Sequence, residues 1–426
     1  MAINLSEQKI SDGIRFTTII DKKFKSNFIM IRFVTKLDEL SASENALVPN
    51  LLITSNEKYR TRTELTTKLS SLYGSNLSTI NHKLADNQVV GIAASCICDA
   101  YSLEGEKVTG EVTDILLDCI FKPIVEDDGF AKKDFEIRKQ ELIDGIEAEI
   151  NDKRTYAIIR ANTTIYKNEP SAITAYGNKN GAQKLTPQMT YKAYKELLKT
   201  AQIEIMFVGG EENTDAINKI KNAFSSLERS FTPNSFVCLS TIKAKPVEVV
   251  EDMDVNQCKM VMAFKSDYKS TYVNRLMTTM LGGTAFSKLF TNVREKYSLC
   301  YYCAAGFVEG KGVMIVDSGV EYANIPKAKE EIQNQINALA TGDFTDDEMN
   351  NAVLSIAGDY KSNYDSTNDI AAWYFIQSIR GDNYSPEQAI KALKNVTREE
   401  IIQAASALKL DTIYIMKGSE SQEGEE

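Results

Sequence analysis

Histidine is almost missing from this chain. His82 stands alone, so a metal site built on two imidazoles cannot be assembled from these residues. There is no run of about 18 apolar residues, so no helix is expected to span a membrane. Met1 to Lys9 lacks a basic start followed by an apolar stretch, so no secretory leader is expected. The seven cysteines are scattered and odd in number, which speaks against a disulfide framework and for reduced thiols in a cytoplasm. The formal charge of −10 repels phosphate and excludes nucleic acid as a natural partner. No Gly-x-Ser-x-Gly is present, and no cysteine is paired with a suitable histidine. Leu281-Gly282-Gly283-Thr284 is not followed by the Gly-Lys-Ser/Thr of a phosphate loop.

Two cysteine groups and the one histidine have plain readings. Cys300 and Cys303 lie three apart in a β-prone run, where a regular strand would point their thiols to opposite faces, and no second pair stands at zinc-finger spacing. Cys96 and Cys98 share a strand face and read as small core residues. His82, within Ser78 to Lys83, reads as a surface or hydrogen-bonded imidazole in a strand or turn.

What the chain does have is a weak internal repeat, about half its length. Leu185-Thr186-Pro187 opens a helical stretch that leads to Ile203-Glu204-Ile205-Met206 and stops at Gly209. Val396-Thr397-Arg398 opens another that leads to Ile413-Tyr414-Ile415-Met416 and stops at Gly418. Each Thr stands where a helix N-cap belongs. Upstream, Phe130 to Phe135 is echoed by Phe344 to Met349, each before a helical stretch. The halves also open alike: Gly13–Ile20 with Phe28–Val34, and Val247–Val250 with Lys259–Phe264, look like β pairs.

Thr61 to Tyr73 carries Leu65, Leu69 and Leu72 on one helical face and stops at Gly74. Leu142, Ile146 and Ile150 repeat every four residues, with charges opposite. The fold class is therefore α+β. Two tandem homologous domains are expected, each a mixed, largely antiparallel sheet with helices packed on one face. The expected boundaries are 1–228, a Ser/Thr/Pro-rich linker at 229–246, 247–420, and an acidic tail at 421–426.

One long ordered segment carries a family resemblance. Leu281-Gly282-Gly283, then Ser287-Lys288-Leu289-Phe290, then Arg294-Glu295-Lys296-Tyr297-Ser298-Leu299-Cys300-Tyr301 resembles the second-domain signature of the M16 peptidases, the pitrilysin-like and mitochondrial processing peptidase-like enzymes. Ser298 departs from it, since the family usually has Gly there. The resemblance implies a two-domain peptidase fold. In active relatives a first-half helix bears His-x-x-Glu-His, whose two histidines bind zinc on one helix face, and a distant Glu completes the site.

This chain lacks that motif. Ser55-Asn56-Glu57-Lys58-Tyr59-Arg60-Thr61 resembles the segment that follows it. Counting back, the first His position falls on Ala46, the Glu on Pro49 and the second His on Asn50. The third ligand position falls at Gly145, with Glu141, Glu147 and Glu149 nearby, which otherwise read as a solvated helix face. No metal or other cofactor is expected.

The resemblance also implies roles for Arg294 and Tyr301, which in active relatives reach the substrate: a guanidinium fork for peptide carbonyls and a hydroxyl for a developing oxyanion. The plainer alternative is an Arg294 paired with a nearby acid and a Tyr301 packed in the sheet. Missing metal ligands beside a kept Arg/Tyr pair resemble the zinc-less bacterial members that accompany a His-x-x-Glu-His paralogue in a heterodimer. The expected function is a cytoplasmic, non-catalytic, peptide-binding subunit, as a heterodimer or a homodimer. The alternative is an inactive scaffold that holds a peptide without cleaving it.

Overall fold

The computed structural model describes residues 3–418. The acidic tail at 421–426 lies outside the described residues. Two compact units emerge. One comprises the chain through Glu147, Ile173–Phe236 and Asn363–Asn383. The other comprises Ala148–Ala172, Val237–Ser362 and the chain from Tyr384.

The first unit holds strands β1 (Asn4–Ser11), β2 (Ile14–Ile20), β3 (Ser26–Lys36), β4 (Asn76–Leu84) and β5 (Asn87–Ile97), a small hairpin of β6 (Val125–Glu126) and β7 (Gly129–Phe130), and β8 (Gln202–Gly209). The second holds β9 (Val247–Asp252), β10 (Cys258–Lys265), β11 (Cys300–Val308), β12 (Val313–Val320) and β13 (Lys409–Lys417). The sheet orders are β1-β2-β8-β3-β5-β4 and β11-β12-β10-β13-β9. With β1 set aside, the two orders are the same path run twice. β2 and β8 are parallel, as are β13 and β9, and the remaining pairs in both sheets are antiparallel.

The opening strands of each half are therefore not direct pairs. β8 lies between β2 and β3, and β13 lies between β9 and β10. The closing strands Ile203–Val208 and Ile413–Met416 are buried along their length, and a strand buried on both faces belongs in the middle of a sheet. β1 was not evident in the sequence because most of it is polar and exposed.

Helices follow the same duplication. The first half supplies α1 (Ala42–Leu52), α2 (Arg62–Ser71), α3 (Val108–Phe121), α4 (Lys132–Ala148), α5 (Lys153–Ile165), α6 (Lys179–Lys184), α7 (Pro187–Thr200) and α8 (Thr214–Ser225). The second supplies α9 (Thr271–Gly282), α10 (Ile325–Ala340), α11 (Asp346–Ser362), α12 (Thr367–Arg380), α13 (Pro386–Lys394) and α14 (Arg398–Ser406), with a π-helical turn at Leu289–Lys296. The caps read from the sequence, Thr186 and Thr397, are formed. They and Thr61 each accept a hydrogen bond from a first-turn amide, and Thr61 and Thr397 complete capping boxes with Glu64 and Glu400. Gly74 ends the α2 segment with φ of 69°. α4 is wetter than its spacing suggests: Phe135 and Ile143 are its buried residues, and Ile150 lies exposed beyond its end.

In each unit the helices of its own half cover one sheet face, and one further helix covers the other. In the first unit that helix is α12, a second-half segment. Its Ile370, Ala371, Tyr374 and Phe375 pack on Met30, Val34, Met206 and Val208. In the second unit it is α5, from the first half, whose Ala157, Ala161 and Ile165 pack with Val261, Ala263, Tyr414 and Met416. The two equivalent helices of the repeat have exchanged sheets.

Ion pairs fasten α5. Arg154 donates to Asp317 at 2.5 Å and lies over the Tyr302 ring, and Arg160 makes a two-pronged pair with Glu251 at 3.0 and 3.1 Å. At the C-terminal end of α5, the nearly inaccessible Lys265 ammonium donates to Ile165 O and Thr241 O, both at 2.8 Å, and faces Asp411. Asp411 is fully buried and also bound by Lys243. Burial alone would push its carboxyl up; the hydrogen bonds from Lys243 and the charge of Lys265 outweigh that and hold it below the usual range. Asp411→Asn removes the charge that compensates Lys265, so a loss of roughly 3–5 kcal/mol is expected in denaturant unfolding followed on the second unit.

The face under α12 carries its own buried charge. Arg32 is largely inaccessible and its guanidinium lies 4.1 Å from the Phe375 ring centroid. Directly across, Glu204 on β8 is buried and bound by Arg15 at 2.9 Å. His82 lies half-buried on β4 among these neighbours, and desolvation first, then the Arg32 charge, lowers its pKa to about 4. The folded state thus holds a neutral imidazole that the unfolded chain protonates near pH 6.5. Its contribution is complete above that pH and is lost as pH falls toward 4. Unfolding free energy is expected to drop over that window by at most about 3 kcal/mol on account of this residue, and His82→Asn should flatten that part of the stability–pH curve.

Candidate functional site

The helix that would carry a zinc motif is α1. Ala46 and Pro49 are buried and Asn50 is half-buried. Ala46 and Pro49 offer no ligand or basic atom, and the Asn50 amide donates back to Ala46 O at 3.4 Å. Around them α1 is held by packing and neutral hydrogen bonds: Asn45 donates to Gln88 at 3.0 Å, and Gln88 donates to Ala42 O at 2.9 Å.

α4 is tied to the end of α1 by Arg138 donating to Thr54 at 2.8 Å and Ser55 donating to Asp134 at 2.6 Å. Gly145 on α4 opens onto free space, with no atom within 4 Å of where a Cβ would stand. Glu141 is paired with Arg138 and Glu147 with Lys179, while Glu149 is half-buried, its carboxyl pushed up by desolvation. Among the described residues no three His, Cys, Asp or Glu side chains group to hold a metal ion. This donor set does not fit zinc.

The second-half signature builds a different surface. α9 ends at Gly282-Gly283, and at Gly282 a side chain would strike the backbone nitrogen of Ala305 at 2.7 Å, so only glycine lets α9 lie this close to β11. The π-helical turn that follows buries Leu289 and Val293 in the core, which leaves Arg294 on the outside. Its side chain is 40% exposed, and the guanidinium stacks 4.6 Å from the Phe290 centroid and makes a loose pair with Glu295 at 3.6 Å.

The chain then turns through Ser298, whose φ is 52°. This left-handed conformation is the physical reason glycine suits the position, and the Ser carries a strain that glycine would not. β11 follows as an edge strand. Its pairing with β12 is irregular: Cys300 faces Val320 and Tyr302 faces Gly319, so Tyr301 is the extra residue of a bulge. A bulge turns its residue out of the ladder, and Tyr301 is 64% exposed. Its hydroxyl bonds Glu321, which raises the phenol's pKa and keeps it a proton donor. Arg294 acts electrostatically on Cys300, the residue before Tyr301, so guanidinium and phenol stand near the same end of β11.

The Phe290 shelf and the Glu321 acceptor were not legible as site residues, because stacking and a strand-end contact leave no sequence pattern. Ser298 did leave one, as the single departure from the signature.

With this geometry in view, comparison with known proteins is informative. Residues 184–356 match the family described as the peptidase M16 inactive domain. A curated Bacillus subtilis (strain 168) protein named "Probable inactive metalloprotease YmfF" is 26% identical over 416 residues, 96% of each chain. The chain is similar to inactive members of the M16 peptidase family.

Solved structures agree on the M16 fold. A conserved protein from Enterococcus faecalis V583 superposes with a TM-score of 0.89 at 22% identity, covering 98% of this chain and 99% of that one. A peptidase M16 inactive domain from Pseudomonas fluorescens superposes with a TM-score of 0.80 at 14% identity, covering 99% and 100%. Both the matched family and the Bacillus subtilis relative are described as inactive, and α1 of this chain carries no histidine. Among the described residues no helix is long and apolar enough to cross a membrane.

Relief of the left-handed Ser298 in the M16 signature is directly measurable. Ser298→Gly is expected to raise stability by up to about 1 kcal/mol in denaturant titration; a loss of stability would show that the serine hydroxyl matters more than its backbone.

Proposed function

We propose that this chain is the non-catalytic, peptide-binding subunit of a two-chain M16 peptidase in the cytoplasm, paired with a paralogue that carries His-x-x-Glu-His. The observation that supports it is the contrast between the two signatures. The α1 positions that the resemblance assigns to metal ligands and base carry Ala46, Pro49 and a half-buried Asn50, while Arg294 and Tyr301 are exposed beside a sheet edge. Bond cleavage would be supplied by the partner's own metal centre. In this chain, Arg294 offers its donor fork to a peptide carbonyl, and Tyr301 offers one hydroxyl donor to the oxygen that gains charge. The open edge of β11 gives an extended peptide backbone somewhere to pair. A second reading, a peptide-holding scaffold without proteolysis, is favoured by one observation: the Tyr301 hydroxyl is already engaged by Glu321.

The test is to purify the tagged chain from its native host, identify what accompanies it, and assay peptide hydrolysis with and without a chelator. A His-x-x-Glu-His protein in about equal amount, with chelator-sensitive cleavage, is expected. In that pair Arg294→Ala should lower turnover by at least about tenfold without loss of assembly, as removal of a transition-state donor does. Unchanged turnover would remove Arg294 from the reaction. Recovery of the chain without such a partner, and without cleavage, would leave the scaffold reading.

A further inference from the structure

The bulge at Tyr301 has an effect on its neighbours. In a regular strand Cys300 and Cys303, three residues apart, would face opposite ways. Here Cys300 stands opposite Val320 and Cys303 opposite Ser318, two positions that are themselves same-face neighbours on β12. The extra residue restores the parity, so both thiols enter the same apolar core beside Leu299 and Val320. Each thiol acts on the other's proton affinity, and Ser318 favours the thiolate of both. Both are largely buried, with Cys300 the more accessible at 9% against 7%. Tyr302, between them, points the other way, under the Arg154 guanidinium.

We propose that Cys300 and Cys303 form a redox-active dithiol that closes to an intrachain disulfide on exposure to peroxide, the bulge at Tyr301 being the element that brings the sulfurs together. The two thiols have different parts. The hydrogen bond from Cys303 and the charge of Arg294 favour thiolate on Cys300, while the proton stays on Cys303. The Cys300 thiolate attacks one peroxide oxygen, the O–O bond breaks, and hydroxide leaves a sulfenic acid on Cys300. The Cys303 sulfur then attacks the Cys300 sulfur and the S–O bond breaks. The Cys303 proton and one from solvent convert the two hydroxides to water. Two electrons pass from the thiols to the peroxide. A small thiol reductant reverses the step by exchange and is itself oxidised to its disulfide.

The other cysteines supply the contrast. Cys96 lies near the end of β5 and Cys98 just beyond it, and burial pushes both thiols up, Cys96 to about 12, and Cys119 likewise to about 12. Among the described residues no third ligand joins Cys300 and Cys303, so the pair is not half of a metal site. Closure would bridge the residues that flank Tyr301 and fix the bulge. The inference rests on strand geometry and is independent of the peptide-binding reading.

The experiment uses the full reduced chain, treated with a few equivalents of hydrogen peroxide, unfolded in the presence of iodoacetamide and digested. The tryptic segment from Tyr297 to Lys311 contains both cysteines and none of the others. It should lose both alkylation sites and two hydrogens of mass, at least about tenfold faster than Cys96 and Cys98 lose theirs, and a small thiol should restore it. Cys300→Ser should leave Cys303 alkylatable at the same dose. Full alkylation of the segment after treatment would overturn the proposal. So would a disulfide that forms first at Cys96 and Cys98, or equal loss of the Cys303 thiol in the Cys300→Ser chain.

Discussion

The structure depends on strands that are apolar on both faces. β3 is buried through Asn27 to Val34, β8 from Ile203 onward and β10 through Met260 to Lys265. Such a strand cannot leave either face in water, so each sheet needs two layers of cover. The helices of one half supply a single layer. The second comes from the exchanged helices α5 and α12, whose packing faces are built around Ala157 and Ala161 in one and Ala371 in the other, beside larger apolar residues. The exchange is thus a packing requirement met reciprocally by two copies of one repeat. It also explains the charge under each helix. Arg154, Arg160, Lys265 and Asp411 specify where α5 seats, and Arg32 under Phe375 does so for α12.

Much of this was legible in the sequence. The repeat was visible because caps and closing strands are short-range patterns: Thr186 and Thr397 had to sit before a helix, and Ile203–Val208 and Ile413–Met416 had to be strands. Sheet order was not visible. Nothing local in Gly13–Ile20 says whether its neighbour is Phe28–Val34 or a strand arriving much later in the chain, and here it is the later one. The destinations of α5 and α12 were hidden for the same reason. An apolar stripe tells that a helix packs, not on which sheet.

The site shows the same division. Arg294 and Tyr301 could be named because they belong to an ordered signature, but their exposure follows from two local irregularities that periodicity cannot express. A π-helical turn sets Leu289 and Val293 inward and Arg294 outward, and a bulge turns Tyr301 out of the ladder. The same bulge reversed the expected disposition of Cys300 and Cys303. An expectation built on strict alternation fails wherever one residue is added, and edge strands are where such additions concentrate.

The α1 segment and the second-half signature differ in character for a physical reason. A zinc site requires polar ligands inside the protein, where their cost is offset by the metal. Without histidines, apolar packing is the stable use of a buried helix face, and α1 shows it: Ala46, Leu47, Val48 and Pro49 are all buried, and its buried polar side chains Ser43 and Asn45 donate to Tyr176 O and Gln88. An exposed Arg and Tyr meet no such pressure. Arg294 and Tyr301 are solvated where they stand, so stability neither keeps nor removes them. The glycine at 282 and the turn at Ser298 are different, because they set the close approach and the left-handed bend that carry this surface. The fold therefore accounts for the backbone of the signature, whereas the exposed guanidinium and phenol add little to the stability of the fold.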